Sequence, residues 1–162
     1  MTASNTVPGR ALSKIGFVPE GTATDELQTI VTFTTDYDFA DTYGLRLAAG
    51  RFLSAAHGTD ADEGFVLNAA AVRQLGWGTP EAAVGRRLTW GWPGKEGRVV
   101  GVVEDFHYAS LREPVAPAVF HVQPAWFDYV TVRLDGVDVG GALSALEAAW
   151  RRVVPGRPFD YF

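Results

Sequence analysis

The sequence predicts an α+β domain, and three observations carry that prediction. Short β-branched and aromatic segments such as QTIVTFTT (28–35) have strand composition. Between them lie short helical stretches that open on a capping residue and close on glycine. The last 35 residues run strand, helix, strand. The 162 residues (17.5 kDa) suffice for one domain, or one with a lobe inserted into it. With 47% apolar and 20% charged residues, the chain buries a core without disulfides or metal. That composition excludes a disordered, collagen-like, coiled-coil or mucin-like chain.

Residues 1–26 are rich in Gly, Pro, Ser and Thr and read as irregular, with a short strand at the very start. In the strand 28–35, Val31 and Phe33 share one face and Ile30 and Thr32 the other. A short helix follows. Thr35 and Asp38 have capping-box spacing, Phe39 and Tyr43 meet at i,i+4, and Gly44 occupies the terminating position. Residues 45–53 form a short apolar segment, and 54–64 an acidic loop. Phe65–Leu67 reads as a buried strand, Asn68 as the cap of a helix through Leu75, and Gly76 as its end. Thr79-Pro80-Glu81 starts another helix, which Gly85 ends. Arg86–Trp90 and Arg98–Val103 read as strands around the turn 91–97. Val99–Val103 is apolar on both faces, as in a central strand. Ala118–Val122 is a further strand, fenced by Pro117 and Pro124. Tyr129–Leu134 alternates, with Val130, Val132 and Leu134 expected inward. Residues 140–153 form a helix with Leu143, Leu146, Trp150 and Val153 on a buried stripe, and Phe159–Phe162 begins a strand.

The charge balance narrows the function. Fourteen Lys and Arg against nineteen Asp and Glu give a net charge of −5, with the basic residues scattered. That is a poor surface for nucleic acid, which needs clustered cations. Without cysteine there is no thiolate zinc site. No apolar run reaches the roughly 18 residues of a membrane span, and no signal-peptide core is present. Signatures of serine hydrolases, zinc proteases, P-loops and dinucleotide folds are missing. Glu104-Asp105-Phe106-His107 is the tightest polar group. A hydrolase reading would use Asp105, His107 and Ser110, but a strand ending in polar residues accounts for them better. The Trp90–Trp92 turn could stack on a sugar, though core or turn packing explains it better. The acidic loop from Asp60 to Glu63 lacks EF-hand spacing and reads as a solvated loop.

Five segments in order carry a resemblance. They are Val7-Pro8-Gly9; Asp36-Tyr37-Asp38-Phe39 with Thr42-Tyr43-Gly44-Leu45 and Ala49-Gly50-Arg51-Phe52; Val66-Leu67-Asn68-Ala69-Ala70-Ala71 with Leu75-Gly76-Trp77 and Glu81-Ala82-Ala83-Val84-Gly85; Gly101-Val102-Val103-Glu104-Asp105-Phe106-His107 with Ser110-Leu111 and Pro117; and Trp150 with Pro158-Phe159-Asp160-Tyr161-Phe162. Together they resemble the MacB-like periplasmic core domain of FtsX-type ABC transporter permeases. The resemblance implies a porter-like mixed-sheet α/β layer with an inserted smaller α/β lobe. The layer is expected at 1–49 and 125–162, truncated at its N-terminus, and the lobe at 50–124. It implies an extracytoplasmic, noncatalytic domain of a cell membrane protein, periplasmic in a Gram-negative envelope, that transmits conformational change driven by a cytoplasmic ATPase to export or to partner proteins. No catalytic, cofactor-binding or metal residue is carried over. The implied partners are transmembrane helices, a cytoplasmic ATPase subunit or domain and an extracytoplasmic adaptor, in a dimer of permeases, with no nucleic acid. The family's opening strand and helix have no counterpart after Met1, so the excised chain is expected to self-associate through an uncovered sheet edge. The competing reading is an extracytoplasmic sensor or solute-binding domain, which needs an apolar pocket with convergent polar groups.

Overall fold

The computed structural model describes every residue except Thr24, Asp25, Gly91, Trp92, Pro93 and Val137. It forms two compact units, Met1–Thr131 and Val132–Phe162.

In the first unit, β-branched and aromatic segments pair as strands. These are β1 (Thr2–Ser4), β2 (Lys14–Pro19), β3 (Gln28–Thr34), β4 (Leu47–Gly50), β5 (Gly64–Asn68), β6 (Arg87–Trp90), β7 (Glu96–Val103), β8 (Ala118–His121) and β9 (Tyr129–Thr131). Seven of them form one mixed sheet in the order β4-β7-β5-β8-β3-β2-β6, and β6 also pairs with β7. The ring therefore closes, which removes most of the unpaired edge that an open sheet would carry. Strands β3 and β8 run parallel, as do β5 and β7, and the other neighbours are antiparallel. β1 pairs with β9 and leans on the end of β3, where Asn5 N donates to Thr34 O.

The two faces of β3 behave as its alternation predicts. Ile30 joins one core with Phe17, Phe65, Leu67, Leu88, Val99 and Val119. Val31 and Phe33 join the other with Phe39, Val66, Val103, Tyr108 and Phe120. The eight-residue β7 contacts β4, β5 and β6, and Val102 and Val103 enter opposite cores, as expected of a central strand.

Short helices connect the strands. In α1 (Phe39–Tyr43), the Phe39 and Tyr43 rings meet tilted, 4.5 Å between centres, and Gly44 ends the helix at φ 67°. The Thr35–Asp38 capping box does not form: Asp38 sits at the N-cap without a side-chain bond, and Thr35 N donates to His121 O across the sheet. The acidic loop contains a turn of helix, α2 (Asp60–Glu63). Asn68 caps α3 (Ala69–Gln74), and Thr79 with Pro80 starts α4 (Pro80–Ala83).

Three expectations about strands are corrected. Residues 14–19 are a full strand between β3 and β6 although Gly16 and Pro19 interrupt the strand composition; partners on both sides supply what local propensity lacks. The expected strand 129–134 ends at Thr131, with Val130 60% exposed. Residues 159–162 form no strand.

In the second unit, α5 (Val139–Val153) is capped by Asp138, whose carboxylate accepts from Gly141 N. None of its residues is fully buried: of the expected core stripe, Leu143, Leu146 and Trp150 are half-buried and Val153 is exposed. Trp150 is half-buried against Phe159 and donates to Arg157 O. In the first unit, β2 and β3 lie in one sheet with β6 and β8.

Candidate functional site

Three of the five resembling segments converge on one half-open cleft of about 360 Å³. Its walls are the α1–β4 turn (Tyr43–Arg46), the exit from β7 (Glu104–His107) and Pro8. Local chemistry builds each wall. Gly44 turns the chain out of α1, and Leu45 N then donates to Ala40 O. Glu104 N donates to Arg46 O, and the two side chains pair at 2.6 Å at the solvent edge. Gly9 N donates to Tyr108 O, which draws Val7-Pro8-Gly9 onto the same side. The Tyr43 hydroxyl is 2.8 Å from Thr131 Oγ1. Phe106 contributes apolar floor and packs on Phe33, Tyr108 and Phe120. A second cavity, between α1 and the sheet, offers only about 20 Å³, room for about one water.

The acids of the Glu104–His107 stretch are engaged in ion pairs, Glu104 with Arg46 and Asp105 with Arg73. Asp105 accepts from Ala70 N at 2.8 Å, capping the start of α3, and pairs with Arg73 at 2.5 Å. His107 is exposed, and Ser110 Oγ accepts from Arg112 N in its own turn. Tyr108 donates to Ala116 O, and burial, helped by Asp105, pushes its hydroxyl up to about 12.

A sequence profile of the MacB-like periplasmic core domain matches residues 4–149. The chain belongs to this family. Among curated proteins none matches the sequence. The fold of this MacB-like domain is similar to that of the periplasmic region of MacB from Actinobacillus actinomycetemcomitans (TM-score 0.63, 16% identity, 94% of this chain and 65% of that one). It is also similar to a domain of a proposed permease protein from Porphyromonas gingivalis (TM-score 0.62, 17% identity, 94% and 69%). A third likeness is to the extracellular domain of the noncanonic ABC-type transporter YknZ from Gram-positive bacteria (TM-score 0.50, 13% identity, 75% and 52%). The chain thus spans about two thirds of the MacB periplasmic region. Among its described residues no helix is long and apolar enough to cross a membrane.

The acidic loop of this MacB-like domain is a structural strap. Asp60 is 1% exposed and accepts both Arg51 guanidinium nitrogens, at 2.5 and 2.8 Å, and Ser54 N at 2.9 Å. Burial alone raises a carboxyl, but Arg51 and the Ser54 amide hold Asp60 below its ordinary range. Asp62 and Glu63 are exposed, and no described group of three acids or histidines is placed to hold a metal. Lys95 Nζ donates to Ala61 O and lies over the Phe65 ring; burial brings it down to about 8 against the pull of Asp62 and Asp60.

Among the described residues the tryptophans form no exposed platform. Trp77 and Trp90 are buried, Trp150 is half-buried and Trp126 is 39% exposed. Trp92, the other half of the expected stacking turn, lies outside the described residues. Sequence reasoning missed the cleft because its walls come from residues 8, 43–46 and 104–107. The signal available was that these stretches carry the family's likeness without forming a strand or helix core.

Proposed function

We propose that this MacB-like domain is the extracytoplasmic, noncatalytic part of an ABC transporter permease, and that it passes conformational change driven by a cytoplasmic ATPase to export or to partner proteins. One observation carries the reading beyond the family itself. Segments 7–9, 42–45 and 104–107 meet at an open cleft, while the one acid among them with catalytic spacing, Asp105, is spent on Arg73 and the start of α3. A surface so built is suited to contact. In the full-length protein the adaptor, the transmembrane helices and a second permease are the partners of this reading.

These 162 residues contain no cysteine, so within them an introduced thiol reports one place, and any cysteine elsewhere in the full-length protein is first replaced. In the full-length permease with its ATPase, Arg46→Cys carrying a bulky maleimide should lose export and keep ATP hydrolysis. Unchanged export after complete labelling would count against the cleft as a contact surface, and ATP hydrolysis by the domain alone would overturn the noncatalytic reading. A second reading, a sensor or solute-binding domain, is favoured by the cleft volume, which falls in the range of small-molecule sites. Calorimetry with candidate solutes on the isolated chain separates the two.

A further inference from the structure

His121 is the last residue of β8 and is fully buried. On the β3 side its Nε2 lies 3.3 Å from Thr34 Oγ1. On the β5 side it contacts Phe65, at 6.2 Å between ring centres. Trp90, at the end of β6, meets it edge to face at 4.7 Å, and Trp126 in the turn Pro124–Trp126 covers Trp90 at 5.1 Å. His121 Nδ1 and Trp90 Nε1 are both buried without a hydrogen-bond partner. Thr34, Phe65, Trp90 and Trp126 bring no charge to the imidazole. The charge acting on it is Lys95, which leads into β7 and whose own counter-charges are Asp60 and Asp62.

This seat suits a neutral ring. An imidazolium has two N–H donors, and here it would sit buried beside an ammonium, with only Thr34 Oγ1 and the Val122 backbone to receive them. We propose that His121 is an acid-sensitive latch: a proton taken up by its ring drives it from the seat and lifts the Trp90–Trp126 cap, while the core around Phe33 stays folded. The residue ends its strand, the turn that follows buries no residue, and β6 is four residues long. The Phe33 core uses the other face of β3 and has Phe39, Phe106, Tyr108 and Phe120 around that ring.

The direction with pH follows. Burial first and Lys95 second lower the seated ring from 6.5 to about 3, with the Val122 backbone opposing. The unseated ring takes its proton near 6.5. Between these values acid favours the unseated state, and neutral pH restores the seat. The latch does not depend on the transporter reading, although a domain outside the cytoplasmic membrane meets the pH of the medium.

The test is a pH titration of the 162-residue chain followed by NMR. Trp90 and Trp126 indole signals should move with a midpoint between 6.5 and about 3, while methyl signals of Val31, Val66 and Val103 stay. The transition should vanish in His121→Phe, persist in His57→Ala and His107→Ala, and move to lower pH in Lys95→Met. The His121 ring titration in the unmodified chain must coincide with the indole shift, a readout independent of any variant's folding. An unaltered midpoint in His121→Phe, a ring titration apart from the indole shift, joint loss of both cores, or no transition above pH about 3 would each overturn the latch.

Discussion

At the scale of single residues, the Arg51–Asp60 pair shows how a charge survives burial. The Asp60 carboxylate is 1% exposed, whereas Arg51 keeps 37% of its side chain in solvent. Most of the desolvation cost therefore falls on the acid, and the guanidinium fork with the Ser54 amide offsets it. Arg51→Ala leaves that carboxylate buried with one amide, and the expected loss is about 3 kcal/mol at neutral pH. The sign with pH discriminates the cause. In the native chain Asp60 is held below its ordinary range, so the pair stabilises above pH 3.8 and is lost as acid protonates the folded carboxyl. In Arg51→Ala, burial dominates and the carboxyl moves up, so the deficit should shrink as pH falls. Urea titrations of both proteins from neutral to acid pH measure it, and a pH-independent gap would refute the account.

At the scale of elements, two contrasts test how helices and strands are held. Asn68 and Thr79 both cap helices, yet they differ in context. Asn68 is fully buried; its Oδ1 accepts from Ala71 N and Ala118 N, and its Nδ2 donates to Ala116 O, tying α3 to β8. Thr79 caps α4 with one bond at the surface. Asn68→Ala should cost about 3 kcal/mol, since the buried Ala71 and Ala118 amides lose their acceptor while Ala116 O keeps Tyr108, against about 1 kcal/mol for Thr79→Ala. Equal losses by denaturant titration would mean that the β8 bonds contribute nothing. The second contrast concerns β7. A Cβ on Gly101 would overlap the Arg51 carbonyl, and one on Gly97 the Glu63 carbonyl, so the strap 51–63 rests on backbone at two points. Gly101→Ala should cost 3 kcal/mol or roughly more, at the top of the overpacking range. Gly58→Ala, in the same strap with open space around it, should change stability by less than about 0.5 kcal/mol. Thermal melts of the two variants decide.

At the scale of the whole molecule, burial is unequal. Residues 1–131 carry both cores, whereas α5 has no buried residue. A helix of that length is marginal by itself, because helical stability in proteins comes from packing an apolar face. Amides of α5 should exchange with solvent far faster than those of β7, by orders of magnitude in protection. Hydrogen exchange read by mass spectrometry checks this, and equal protection would show the helix to be packed in solution. The sequence by itself determined much of the scaffold. The faces of β3, the central character of β7, the Gly44 and Asn68 caps and the Thr79-Pro80 start were all legible, because alternation and capping are local rules written within a few residues. So was the family, from short segments in order. Tertiary structure alone decided the rest. It made a strand of 14–19 by giving it partners on both sides, and left the α5 stripe only half-buried, because periodicity says only that a face is apolar, not what meets it. It also gathered residues 8, 43–46 and 104–107 into one cleft and seated His121 between Thr34 and Trp90. Those are contacts between residues far apart in the chain, set by which strands pair, and no local pattern encodes that choice.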